Sequence, residues 1–381
     1  MISVHEHGST GELGTLSVFR EAFYDCLTRR ADALFELCDS VLCTDGPVCS
    51  LVGLSLTAQH RRGHGALYDA ANAGRIQVDR LRRRLAELPL PRDSEGRIVL
   101  AVDVSNWLRP DAATAPDRSF CHVYGRGKSA AQLIPGWPYS FVAALEPGRS
   151  SWTSILDVVR LGPLDDLTEV TAVQVPQVVD RLREAGQWAE GDPPILVVFD
   201  AGYDVTRLAW LLRDTPVIVV GRLKSDRVYH LPVPDRVPGQ VGRPGRHGPV
   251  IDLDQPATHP PAAVSTVTDT NRYGQAFADA WDRAHQQLQR RAGWADHEGQ
   301  LPVVEGALIR LVVDRLPGDR NPKPVWLWTN ATGLDSAGVD RLWQAYLRRF
   351  DVEHTFRLFK QTLGWTKPRI RDPQRPTAGP G

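Results

Sequence analysis

Three runs in this sequence are apolar at nearly every position: Ile98 to Val104 (IVLAVDV), Ile195 to Phe199 (ILVVF) and Val217 to Val220 (VIVV). Each has the length of a strand and is rich in β-branched residues. A strand with no polar face must be covered on both sides. That requirement demands a central sheet packed between helices. Helical patterns fall between the runs, over about 175–185, with Pro176 in the first turn, and over 208–213. The chain therefore reads as α/β. Phe120 to Val123 and Tyr139 to Leu145 are candidate neighbours in the sheet. Two acids mark these runs: Asp103 lies inside the first, and Asp200 directly follows the second.

The flanking regions differ. Residues 1–95 read as a helical N-terminal domain. Phe19, Phe23, Leu27, Ala31 and Leu34 follow a helical period, and a second helical stretch runs from about Ala66 to Leu88. Pro89, Pro91 and Gly96 mark a boundary, after which 96–365 form one catalytic-sized unit. Residues 231–261 hold eight prolines and four glycines, too many for a compact α/β segment, so about 225–320 reads as an inserted, β-rich Pro/Gly segment. Val325 to Trp328 returns to the core, where Trp326 and Trp328 read as strand core rather than a platform for an extruded base. A long helix over about 337–363 follows, and 366–381 form a frayed tail.

Composition excludes some classes. No apolar run approaches the roughly 20 residues a membrane span needs, and the N-terminus carries no signal-peptide pattern, so a cytoplasmic location is expected. The five cysteines include a cluster at Cys38, Cys43 and Cys49 with no CxxC pair or paired histidine, which reads as buried apolar cysteine rather than a zinc site. Formal net charge is zero, but it is unevenly spread. Residues 341–371 carry a net +6 and residues 61–84 a net +5. In the second patch Arg61, Arg62, Arg80 and Arg83 are candidate phosphate contacts. Gly125-Arg126-Gly127-Lys128-Ser129 ends like a P-loop, but His122 stands where its first glycine belongs, so nucleotide chemistry is unsupported.

The chemistry concentrates in the last helix. Tyr346, Arg349, Glu353 and Lys360 are spaced by 3, 4 and 7 residues, which puts them within about 60° of one another on a helical wheel. Beside them runs an apolar stripe of Trp343, Leu347, Phe350 and Leu358, on which His354 also falls, as a core histidine. The helix thus presents a carboxylate flanked by cations and a phenol on one edge of its buried face.

This pattern, Y-x2-R-x3-E-x6-K within YLRRFDVEHTFRLFKQTLGW, resembles the signature of bacterial insertion-sequence transposases of the DDE superfamily, in the insertion-sequence-four-like branch. The resemblance extends over about 98–365. It implies a ribonuclease-H-like catalytic core with an insertion between the second aspartate and the glutamate. It further implies that Asp103, Asp200 and Glu353 are a catalytic triad holding two Mg²⁺ ions, with Mn²⁺ as a substitute. Two such ions about 4 Å apart activate the attacking oxygen and stabilise the leaving one. Arg349, Lys360 and Tyr346 would grip DNA phosphates. Asp204 is a rival ligand that reads better as a helix cap. The implied partners are terminal inverted repeats and target DNA, with a homodimer on paired ends.

Two other readings stand beside this one. The sequence runs only a short way past the glutamate helix, ending in RDPQRPTAGPG, which allows a catalytically silent, truncated copy acting as a DNA-binding protein or inhibitor. A different nuclease on the same fold, such as a junction resolvase, is the third.

Overall fold

The computed structural model describes residues 9–63, 65–123, 132–148, 150–236, 241–243, 245–316 and 321–367. The P-loop-like motif and most of the proline-rich tail lie outside them.

The structure centres on one ten-stranded mixed sheet. Its strands are β1 (Val99–Leu108), β2 (Ser119–Val123), β3 (Gln132–Leu145), β4 (Thr153–Arg160), β5 (Ile195–Phe199), β6 (Val217–Leu223), β7 (Val264–Thr270), β8 (Gly274–Ala284), β9 (Gly306–Val313) and β10 (Val325–Thr329). Across the sheet the order is β7-β8-β9-β10-β6-β5-β1-β3-β2, with β4 also paired to β3. The three apolar runs are β1, β5 and β6, which lie side by side and parallel. The remaining pairings are antiparallel. This large mixed sheet is consistent with a ribonuclease-H-like core.

The apolar runs are covered as their composition requires. One face packs Leu100, Val102, Val197 and Phe199 against α6 (Leu167–Glu184) and α7 (Val205–Leu211). The other packs Val99, Ala101, Leu196 and Val198 against α8 (Ser336–Arg348) and α9 (Phe350–Arg357). Helix α6 begins eight residues before the expected start at 175, capped by Asp166, so Pro176 sits in its interior. Packing of Val175, Val178, Val179 and Leu182 outweighs the lost backbone bond.

Strands β7, β8 and β9 fall within the segment read as an insertion, yet they continue the central sheet through β10. Among its described residues the Pro/Gly-rich part contributes a small two-stranded ribbon, Val228–His230 with Val250–Asp252, and a 3₁₀ turn at Pro256–Thr258. Strand β7 alternates half-buried and exposed positions, as a one-sided edge strand does. Trp326 and Trp328 are buried core, as their strand position suggested.

Residues 9–87 contain helices α1 (Ser9–Tyr24), α2 (Ala31–Cys43), α3 (Leu51–Leu54), α4 (Gly65–Ala73) and α5 (Val78–Glu87). The expected helical stretches are shorter here. The Phe19–Leu34 period is interrupted where Leu27 enters a short ribbon and Arg30 takes a left-handed conformation (φ 55°). The Ala66–Leu88 stretch breaks at Gly74, where a Cβ would stand 2.4 Å from Ala70 O and 2.7 Å from the Leu34 side chain. Cys43 and Cys49 are exposed, contrary to the reading of buried cysteines; only Cys38 of that cluster is partly covered. Arg82 of α5 and Arg181 of α6 close on the fully buried carboxylate of Asp157, at 2.6 and 3.2 Å, which fastens both helices to β4. No helix among the described residues is long and apolar enough to cross a membrane.

Candidate active site

Register brings the first two acids together. In the parallel pair β1–β5 the last matched residues are Val102 and Phe199. One step further along each strand stand Asp103 and Asp200, on neighbouring chains and pointing the same way. The third acid comes from the helices laid over that face. Trp343, Leu342 and Tyr346 of α8 and Val352 and Phe356 of α9 are buried against the sheet, and this holds Glu353 at the edge of the same pocket.

The expected single helix over 337–363 is present in outline but irregular. Arg349 N–H donates to Tyr346 O at 3.1 Å, and Val352 N–H to Arg349 O at 3.0 Å; these three-residue spacings tighten the chain where α8 meets α9. Residues Leu358–Thr362 then form a π turn. The tightening rotates the wheel, so the apolar stripe does not run straight. Phe350 is exposed, and His354, read as a core histidine, is exposed too.

The three acids meet on one guanidinium. Arg349 is 3% exposed and lies 2.9 Å from Asp103 Oδ2, 3.3 Å from Glu353 Oε1 and 3.6 Å from Asp200 Oδ1. The contacts to Asp200 and Glu353 use the same terminal nitrogen, so those two oxygens cannot be farther apart than the two contact lengths end to end. Burial pushes the Asp103 carboxyl up to about 6, against the pull of Arg349, with Asp200 and Glu353 adding to the rise. Asp200 Oδ1 is buried and makes no hydrogen bond.

A hard divalent cation needs several oxygen donors, and this pocket has only oxygens to offer. The unbonded Asp200 oxygen and the excess of acids over cations fit such an ion. Yet among the described residues no three potential ligands stand at metal-binding distances around one point. The Arg349 guanidinium lies against all three acids and balances part of their charge.

The remaining expected site residues are placed as follows. Tyr346 is 1% exposed, with its hydroxyl beside Arg222, and its ring lies 5.9 Å from Arg349 Cζ. Both Tyr346 and Arg349 are buried. Lys360 is half-buried; burial lowers its ammonium, while Asp103 raises it. Asp204 caps α7, its carboxylate accepting from Arg207 N–H at 3.0 Å. In the N-terminal patch Arg62 pairs with Asp32 and Glu36, and Arg80 with Asp25, whereas Arg61 and Arg83 are exposed. None of these four is brought to the carboxylate pocket in any contact among the described residues.

One residue escaped the sequence reading. Tyr203, in the turn after Asp200, packs its ring 5.2 Å from Phe199 and buries its hydroxyl close to Asp103, Asp200 and Ser140. Burial, then Asp103, push its phenol upward. Its spacing of three residues from Asp200 was the available signal. A cavity of about 830 Å³ lies between α8, the β7–β8 turn and the loop after β3, and none of the three acids is among the residues lining it.

Residues 22–288 match a family model described as DDE superfamily endonuclease. The matched span includes Asp103 and Asp200 and stops short of Glu353. No curated protein matches the chain.

Proposed function

The chain belongs to the DDE superfamily of endonucleases, and from that premise we propose that it is a transposase of the insertion-sequence-four-like branch. In this reading it binds the terminal inverted repeats of a mobile element, hydrolyses DNA at the element's ends to leave 3′-hydroxyls, and joins those ends to target DNA. It would work as a homodimer on paired ends. The observation that carries the proposal is the meeting of three carboxylates, 97 and 153 residues apart along the chain, on a single buried guanidinium.

Asp103, Asp200 and Glu353 would hold Mg²⁺ or Mn²⁺. When bound, such ions polarise the scissile phosphate and lower the cost of forming the attacking and leaving oxygens. The protein's own part is geometry and charge. Two acids on adjacent parallel strands hold a fixed spacing, and the helix acid closes the set from above. Burial at Asp103 excludes water there and strengthens its ion pair with Arg349. Arg349 balances the acids in the free protein, and its forked guanidinium is the group suited to a phosphate once DNA arrives. Lys360, facing Asp103, would add a second positive charge near the cut strand. Arg61 and Arg83, the uncommitted members of the N-terminal patch, would contact DNA outside the pocket, with Arg62 and Arg80 joining them only by leaving their acids.

The test is cleavage and strand transfer on DNA carrying the inverted repeats that flank the gene, in Mg²⁺ or Mn²⁺. Asp103→Asn, Asp200→Asn and Glu353→Gln should each lose roughly a thousandfold or more in rate, equivalent to about 4 kcal/mol of barrier, while still binding DNA. Cleavage that survives all three substitutions would refute the site. Cutting without joining would indicate a simple nuclease, and binding without cutting by the unaltered chain a silent copy.

A further inference from the structure

Away from the carboxylates, three imidazoles gather where the ribbon Val228–His230/Val250–Asp252 touches the end of β8. His230 and His285 face one another across an isolated antiparallel bridge. His230 N–H donates to His285 O at 2.7 Å, and His285 N–H to His230 O at 2.9 Å. Directly opposed residues of such a pair send their side chains to the same face. His247 joins them on the return of the Pro/Gly-rich segment. Its position is set by Gly248, which donates to Leu231 O at 3.0 Å and passes so close to Pro232 that a Cβ would stand 2.2 Å from its carbonyl oxygen.

The rings meet through nitrogens. His247 Nδ1 and His285 Nε2 are 3.1 Å apart. Ring centroids are separated by 5.2 Å for His230–His247, 5.2 Å for His247–His285 and 6.1 Å for His230–His285. A zinc–nitrogen bond of about 2.0–2.1 Å places two ligand rings of a tetrahedral ion about 5 Å apart, and their nitrogens about 3.3 Å apart. Packed aromatic rings span a similar range of centroid distances, and in the metal-free protein the nitrogen contact is a hydrogen bond, His247 Nδ1–H to the lone pair of His285 Nε2; a shared ion would take the place of its proton. The outer ring nitrogens are held too. His230 Nδ1 lies 3.2 Å from Gly248 O, and His285 Nδ1 lies 3.2 Å from Arg283 O. An N–H aimed at a carbonyl leaves the other nitrogen with its lone pair, which is how metal-bound histidines are usually held.

We propose that His230, His247 and His285 form a zinc site that staples the Pro/Gly-rich segment to β8. The three nitrogens do not yet surround a common point; only the His247–His285 pair has ligand spacing, and binding turns His230 inward. His230 and His247 are half-exposed, which leaves a fourth position for water. Imidazole donors select Zn²⁺ over Mg²⁺, so this site is independent of the oxygen-lined pocket. Its role is that of a crosslink: it ties His247, in a stretch with no regular element among the described residues of 231–249, to the ribbon and to the end of β8.

The full-length chain, purified without a histidine tag and stripped with a chelator, is titrated with Zn²⁺ against a chromophoric competitor. The expected result is one equivalent bound with sub-micromolar affinity, a rise in Tm, and a tetrahedral Co²⁺ absorption spectrum. His247→Ala, in a half-exposed loop, should weaken binding by about 100-fold with an unchanged circular dichroism spectrum; His230→Asn should do the same. Asp103→Asn should bind zinc as the unaltered protein does. No binding at micromolar Zn²⁺, or equal binding by the histidine variants, overturns the proposal, whatever the outcome of the cleavage assays.

Discussion

Replacing Arg349 by alanine tests the central electrostatic argument. The residue is the only cation in ion-pair contact with Asp103, Asp200 and Glu353 among the described residues, and its side chain is 3% exposed. Removing one partner of a buried ion pair costs about 3–5 kcal/mol, because the other charge is left unpaired in a desolvated site. Here the cost belongs at the low end, about 3 kcal/mol, because Asp200 and Glu353 are 39% and 50% exposed and water screens them; Asp103, 18% exposed and 2.9 Å away, dominates. Urea denaturation in the presence of a chelator at pH 7.5 measures it. The same experiment in Mg²⁺ or Mn²⁺ adds a second reading. If the guanidinium stands where the metal belongs, metal stabilises the variant more than the unaltered protein, by up to about 2.7 kcal/mol at a hundredfold excess over Kd. A loss below about 1 kcal/mol in chelator, or an equal response of both proteins to metal, would refute the idea that Arg349 holds the site in trust for a cation.

Other expectations follow from the same structure. Asp103 is pushed up to about 6 by burial, so protons compete with metal there; Mn²⁺ affinity measured by calorimetry should rise as pH increases through 6 and level off above it. Stability runs the other way: the folded carboxyl keeps its proton between the ordinary value of 3.8 and about 6, so its contribution to the metal-free protein is full below 3.8 and lost as pH rises through 6; Asp103→Asn should flatten that part of a stability–pH curve. Gly306→Ala puts a Cβ 1.9 Å from Thr329 O between β9 and β10 and should cost about 3 kcal/mol in urea denaturation, the upper end for overpacking. Trp343→Ala empties a buried site beneath α8, with an expected loss of about 3–5 kcal/mol and, because α8 leads directly into the helix that carries Glu353, lower affinity for metal.

Much of the core was legible because burial on two faces leaves a signature that needs no partner to read. IVLAVDV, ILVVF and VIVV are β1, β5 and β6, and the acids that break or end the first two were conspicuous against apolar neighbours. The helix carrying Glu353 showed itself through side-chain spacing, and Asp204 through its place before a helix. Positions whose state depends on long-range packing were harder. His354 and Phe350 fell on an apolar stripe drawn for an ideal helix, but the tightening at Arg349 turned both outward. Cys43 and Cys49 looked apolar, yet nothing packs over them sufficiently to bury them. Strands β7 to β9 lie among prolines and glycines, and local composition could not reveal that they extend the central sheet.

The amino-acid order by itself determined that a helix-covered central sheet would form and that Asp103 and Asp200 would stand on its strands, since hydrophobic pattern and residue type are local properties. Only the folded chain decided that these acids share one guanidinium, that Tyr203 stands beside them, and that three histidines from distant segments touch. Those facts depend on strand register and on helices crossing a sheet, and register is set by the sum of many weak contacts between residues far apart in the chain.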